Sequence, residues 1–209
     1  RRRTERFPSV AMQFRLWRSG RKWRLMLWVF AGVGLESPDL ARGQESPFLA
    51  GADMSHLRFF EDRGVTYREG GMSEDALVIL RRQGLNTIRL RLFTSNAEQA
   101  AADPYNYINN LEYTLPLAVR AKAAGHQLLL NFHFSDSWAD PGKQRLPAAW
   151  TNLTFAELVT TLRSYTSNVL AAFAASDVVP EYVQVGNEIT QGILWPHGHV
   201  GGTNDTPAQ

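Results

Sequence analysis

Three short apolar runs, each closed by polar residues and set apart by helix-like stretches, constrain this chain more than anything else in it. They are residues 86–93 (NTIRLRLF), 126–134 (HQLLLNFHF) and 182–188 (YVQVGNE), and a fourth, 48–55 (FLAGADMS), precedes them. Between the runs, residues 72–84 predict a helix with Ser73 as N-cap, two acids in the first turn, two arginines in the last and Gly84 as the stop. Residues 107–125 predict a second helix, in which Pro116 marks an inner start or a kink. Residues 154–176 predict a long third helix opened by the capping box of Thr154 and Glu157. Strand–helix alternation with nearly continuous apolar strands implies a parallel sheet covered by helices. Four such units make either a small open α/β sheet or about the first four β/α units of a truncated (β/α)8 barrel.

Charge separates the fold from what precedes it. Residues 1–44 hold ten Lys/Arg against three acids, whereas residues 45–209 hold twelve against seventeen. The high isoelectric point therefore belongs to a leader, and the acidic domain of residues 45–209 argues against a nucleic-acid partner. The leader has a basic start followed by an apolar run over residues 25–35, about the length of a signal-peptide core and short for a stable membrane span. Met12 reads as the natural start, which puts residues 1–11 upstream of it. Export is the expectation, with an uncleaved anchor as the alternative. The chain has no cysteine, which excludes disulfides, thiolate catalysis and cysteine–zinc sites.

Parity along the strands shows where polar groups collect. Ile88, Leu90 and Leu92 share one face of their strand, and Arg89 and Arg91 share the other. Two arginines on one face of an interior strand need carboxylate partners. Leu128, Leu130, Phe132 and Phe134 alternate in the same way with Asn131, His133 and Ser135. All four strands carry polar residues at their C-terminal ends: Asp53, then Arg89 and Arg91, then His133 with Asp136, then Asn187 with Glu188. In parallel α/β folds that end is where active sites form. The competing reading is a buried structural network in which the arginines pair with Glu188 and Asp53.

Residues 131–150 (NFHFSDSWADPGKQRLPAAW) and 183–198 (VQVGNEITQGILWPHG) resemble glycoside hydrolase family 53, the endo-β-1,4-galactanases. Residues 51–71 and 84–93 match the same family in the same order, so the resemblance spans about residues 48–200. It implies a (β/α)8 barrel that hydrolyses β-1,4-galactan, the side chains of type I arabinogalactan in pectin, with retention of configuration. It implies that Glu188 is the acid/base and that the nucleophile is a second glutamate, beyond the end of this chain. It also implies that Arg89 supports the nucleophile and that His133, Asp136, Trp138 and Trp195 line the sugar subsites, with Arg89 also a substrate-binding candidate. Asn187, beside Glu188, can hydrogen-bond the sugar 2-hydroxyl in retaining cleavage, and Asp53 is a further substrate-binding candidate at its strand end. Three positions depart from the usual family pattern: Asn131 stands for Asp, Phe134 for Tyr and Ser137 for Thr. The expected partner is a polysaccharide. No metal or other cofactor is expected within this part of the chain, and the full-length protein is expected to be a monomer. Another endo-glycanase of the same clan, acting on mannan or glucan, and a non-catalytic carbohydrate-binding half-barrel stay open as alternatives.

Overall fold

The structure, a computed structural model, describes residues 48–201; the leader lies outside the described residues. Along the chain come β1 (Gly51–Asp53), α1 (Leu57–Glu61), β2 (Arg68–Glu69), β3 (Met72–Ser73) and α2 (Ala76–Arg82). Next are β4 (Thr87–Leu92), α3 (Ala97–Ala102), α4 (Pro104–Tyr107), α5 (Leu111–Ala123) and β5 (Gln127–Phe132). A 3-10 turn (Ala148–Trp150) leads to α6 (Phe155–Ala175), β6 (Tyr182–Val185), β7 (Gly192–Ile193) and β8 (Gly198–His199).

The strands β1, β4, β5 and β6 form one sheet in that order, and every pairing in it is parallel. The alternation on β4 and β5 sets its register. Ile88, Leu90, Leu92, Leu128, Leu130 and Phe132 are at most 1% exposed and pack with Leu117, Ala118 and Ala121 of α5 and Phe173 of α6. Burial of each such side chain contributes roughly 1.5–3 kcal/mol, and slipping a strand by one residue would turn that set towards the polar face. The register places Asp53 level with Arg89, Arg91 with Asn131, and Asn131 with Gln184. Polar side chains from four strands are thereby gathered at one end of the sheet.

Two helix starts differ from the sequence reading. Met72 and Ser73 belong to a hairpin with Arg68 and Glu69, closed by Gly70 and Gly71 at φ +57° and +86°. A glycine pair supplies the positive φ angles that a two-residue hairpin turn demands. The helix therefore starts after Asp75, whose carboxylate accepts the Leu77 N–H at 2.7 Å. The stretch 107–125 is likewise shorter as a helix: α5 starts after Asn110, whose side chain accepts the Tyr113 N–H at 3.0 Å. Pro116 lies inside α5, in its first half. The capping box of α6 is present as read, with Thr154 and Glu157 satisfying each other's backbone N–H groups. Among the described residues, no helix is long and apolar enough to cross a membrane.

Candidate active site

The site is built on close approach of β1 to β4. A Cβ at Gly51 would stand 2.5 Å from the Thr87 carbonyl oxygen, so only glycine lets the strands meet there. Two residues further on, Asp53 forms an ion pair with Arg89 and lies 3.4 Å from Arg91 Nε. Ser55 donates to the same carboxylate through its hydroxyl (2.6 Å) and its N–H (3.1 Å). Burial pushes the Asp53 carboxyl up, but the Ser55 hydrogen bonds and the Arg91 and Arg89 charges outweigh it, and the net shift is downward. Asp53 is thus held ionised, as a brace for both arginines.

Arg89 reaches across the sheet. Its Nη2 donates to Asn187 Oδ1 at 2.9 Å, and its Nε to Gln184 Oε1 at 3.2 Å. Asn187 is buried and held at both ends of its amide. Its Oδ1 also accepts from Asn131 Nδ2 (3.3 Å), its Nδ2 donates to the Ala139 carbonyl (2.7 Å), and its own carbonyl accepts from Gln144 Nε2 (2.7 Å). These partners fix which way the Asn187 amide faces.

The chain then turns sharply. Gly186 has φ +81°, and a Cβ there would meet Ile189 Cγ2 at 2.4 Å. Glu188 follows in the left-handed region at φ +52°. Outside glycine that conformation costs on the order of 1 kcal/mol or more, and such strain clusters at functional sites. Glu188 is exposed, and among the described residues it makes no hydrogen bond or ion pair. The arginines pair with Asp53 and not with Glu188, so one half of the structural-network reading is present and the other is not.

His133 is buried beside this network. Its Nδ1 accepts the Ala139 N–H at 3.1 Å, which puts the ring proton on Nε2, and no protein group accepts that proton among the described residues. Burial, followed by the Arg89 and Arg91 charges, pushes the imidazole down to about 3, so it is neutral. Trp138 stands over it with ring centroids 5.2 Å apart, and Arg91 lies 5.2 Å from the Trp138 ring centre. Asp136 is set apart from this group. Both its oxygens accept protein donors: Thr94 Oγ1 (2.7 Å), Gln99 Nε2 (3.0 Å) and the Ala148 N–H (2.8 Å). Trp195 sits on the β7–β8 side, with its indole N–H donating to Gln191 O (2.9 Å) and its ring 4.4 Å from that of His199.

Sequence reasoning missed three residues here. Gln184 shares a face of β6 with Tyr182, and parity alone could have placed it. Gln144, 2% exposed, fastens Asn187 and Asp140 from within a loop, where no periodicity betrays it. His56 accepts from Arg91 Nη2 at Nδ1 (2.9 Å) and donates from Nε2 to Tyr105 O (2.9 Å), again without a sequence signal. Among the described residues there is no group of three or more His, Asp or Glu side chains arranged to hold a metal ion.

Comparison with known proteins fits this geometry. Residues 49–207 match the family model for glycosyl hydrolase family 53. A protein encoded in the bgaB 5′ region of Niallia circulans is 42% identical over 168 residues, covering 79% of this chain and 44% of its own length. The arabinogalactan endo-β-1,4-galactanase A of Aspergillus niger is 40% identical over 149 residues, covering 71% of this chain and 40% of its own. The solved catalytic domain of this family from Ignisphaera aggregans superposes with a TM-score of 0.68 at 41% identity, over 73% of this chain and 42% of that one. One of two solved fungal β-1,4-galactanases gives a TM-score of 0.66 at 35% identity, over 72% and 43%. The four-stranded parallel sheet is part of a TIM barrel. The chain spans about two fifths of the length of the curated relatives it matches.

Proposed function

The chain belongs to glycosyl hydrolase family 53, and from that premise we propose that it is part of an enzyme that cleaves β-1,4-galactan internally, with retention of configuration. The observation that carries this is the strand end at Asn187 and Glu188, where a buried amide held at both its oxygen and its nitrogen stands next to an exposed carboxylate without a partner among the described residues. Retaining cleavage needs two carboxyl groups about 5–5.5 Å apart. Glu188 gives its proton to the glycosidic oxygen while the second carboxylate attacks the anomeric carbon and the C–O bond breaks. Glu188, now a carboxylate, then takes a proton from the water that releases the sugar. The second carboxylate is proposed to come from the part of the barrel that these 209 residues do not span, so the chain by itself releases nothing from galactan.

The remaining residues bind and orient. Arg89 supports the second carboxylate, and the amide of Asn187 meets the sugar 2-hydroxyl. His133 offers its free Nε2–H to another hydroxyl, and Trp138 and Trp195 face the apolar side of the rings. Asp136 shapes the wall by holding Thr94, Gln99 and Ala148. Asp53 braces the arginines. The leader's sequence pattern supports export, and the full-length protein is proposed to act as a monomer on polysaccharide outside the cytoplasm.

The test uses a polypeptide that joins this chain to the rest of the barrel, assayed on galactan, mannan and β-glucan, with the anomer of the first product read by NMR. Release from galactan with the β-anomer appearing first is expected. Preference for mannan or glucan would overturn the substrate, and the α-anomer would overturn the mechanism.

A further inference from the structure

Gln144 takes no part in the chemistry described, yet it is only 2% exposed. Burying a glutamine gives up both hydration and rotamer freedom, so the bonds it makes must offset that loss. It stands directly after a tight turn, in which Asp140 and Lys143 exchange backbone hydrogen bonds of 3.0 Å and the Gly142 N–H donates to Asp140 Oδ1 at 2.9 Å. The Gln144 side chain reaches from this turn to the end of β6. Its Nε2 donates to the Asp140 carbonyl at 3.1 Å and to the Asn187 carbonyl at 2.7 Å. Its own carbonyl accepts the Trp195 N–H at 2.7 Å. The loop that carries Glu188 is therefore fastened near both its ends, at residues 187 and 195, by this one residue.

The Asn187 carbonyl belongs to the peptide plane that joins Asn187 to Glu188. That plane is rigid, so holding its carbonyl sets the direction in which Glu188 leaves it. Glu188 has φ +52° there, a conformation that residues with a Cβ avoid. Turning the plane over would carry Glu188 to negative φ and relieve the strain. The bonds to the Asn187 side chain do not prevent this, because they fix its amide and leave the next backbone bond free to rotate. Gln144 does prevent it. The turn would take the carbonyl away from Nε2 and bring the Glu188 N–H towards it, donor against donor. Nor can the Gln144 amide reverse and offer its oxygen instead, because Nε2 is also required at the Asp140 carbonyl. Among the described residues, the bond from Gln144 is the only hydrogen bond to that peptide.

We propose that Gln144 is a positioning residue for the reaction. By holding the peptide between Asn187 and Glu188 it aims the Glu188 carboxyl at the glycosidic oxygen, and by holding Trp195 it keeps the far end of the same loop in place. This rests on the reading of Glu188 as acid/base given above.

The test is Gln144→Met in a polypeptide that carries the whole barrel. Methionine keeps the bulk and removes both donors. A crystal structure of the variant is expected to show the peptide turned over and Glu188 at negative φ. On galactan, kcat/KM is expected to fall about a hundredfold, as for a catalytic group displaced by roughly 1 Å, with most of the loss in kcat. An aryl galactobioside with a good leaving group needs little protonation in the step that kcat/KM reports, so its loss is expected to stay under about threefold. A peptide that has not turned, with Glu188 still at positive φ, would overturn the proposal whatever the rates; equal losses on both substrates would then mark a residue that only supports the fold. A turned peptide with no loss on galactan would overturn it too. A turned peptide with equal losses on both substrates would support the hold by Gln144 and count against Glu188 as acid/base. The unaltered barrel supplies a check that needs no variant. Both side-chain N–H protons of Gln144 are donated to carbonyls, and they are expected to exchange with solvent at least about tenfold more slowly than those of an exposed glutamine. Exchange at the exposed rate would overturn the double hydrogen bond on which the proposal stands.

Discussion

The middle of the sheet and its β6 end are made of similar residues and put to different use. On β4 and β5 the apolar set is at most 1% exposed, and the two arginines on the opposite face of β4 are both bound by Asp53 of β1. On β6, Val183 is 43% exposed and Val185 62%, and the strand ends in a carboxylate that nothing in the described chain engages. In the middle, polar groups are arranged to hold position. At β6 a backbone turn of unfavourable φ presents one group to whatever comes next. A charge that the fold binds on every side is a brace, and a charge that the fold positions and leaves free is available for chemistry.

The largest consequence for stability falls on the braced side, at His133. Its folded pKa, about 3, lies below the ordinary value of 6.5. The unfolded chain therefore takes up a proton near pH 6.5 that the native ring refuses until about 3. The stability is fully present above 6.5 and is lost as pH falls towards 3. Between about pH 7 and pH 4 this contributes on the order of 3 kcal/mol of lost stability. Other groups titrate in the same window, so the readout is a difference: His133→Gln is expected to flatten the pH dependence of the unfolding free energy. An unchanged slope would mean that the ring is not the buried, neutral group described.

Arg89→Ala comes next. It leaves Asp53 with Arg91 alone and removes donors to Asn187 and Gln184. Because the pair is only partly buried, the expected loss is about 2 kcal/mol, below that of a fully buried pair, measured by urea unfolding. A loss under about 0.5 kcal/mol, the range of an ordinary surface substitution, would erase the distinction between brace and free charge.

How much of this could be read from sequence follows the same division. Parity along regular strands gave the buried set on β4 and β5, the arginine face and the end of the sheet where the site forms. The capping box at Thr154 and Glu157 was legible because both residues act within one turn. The hairpin at Gly70 and Gly71 was missed because acids followed by an apolar run look like a helix start, although the glycine pair was in view. Gln144 and His56 were illegible: each makes its decisive contact from a loop or a strand end, at a sequence distance of tens of residues. Asp136 was legible as a polar residue near the site. Its engagement by Thr94, Gln99 and Ala148 depends on how the loop after β4, helix α3 and the 3-10 turn come together around it.

The smallest stability change is expected at Glu188. Glu188→Gln touches no partner among the described residues, so the unfolding free energy should move by no more than about 0.5 kcal/mol. That substitution also gives the most direct test of the central claim, when made in a polypeptide that carries the whole barrel. Cleavage of galactan, whose leaving group needs a proton, is expected to fall by several orders of magnitude. An aryl galactobioside with a good leaving group needs little protonation, so it should still form the glycosyl-enzyme, and added azide should restore turnover by replacing the base-assisted water. Equal losses on both substrates, with no rescue by azide, would contradict the assignment of Glu188 as acid/base.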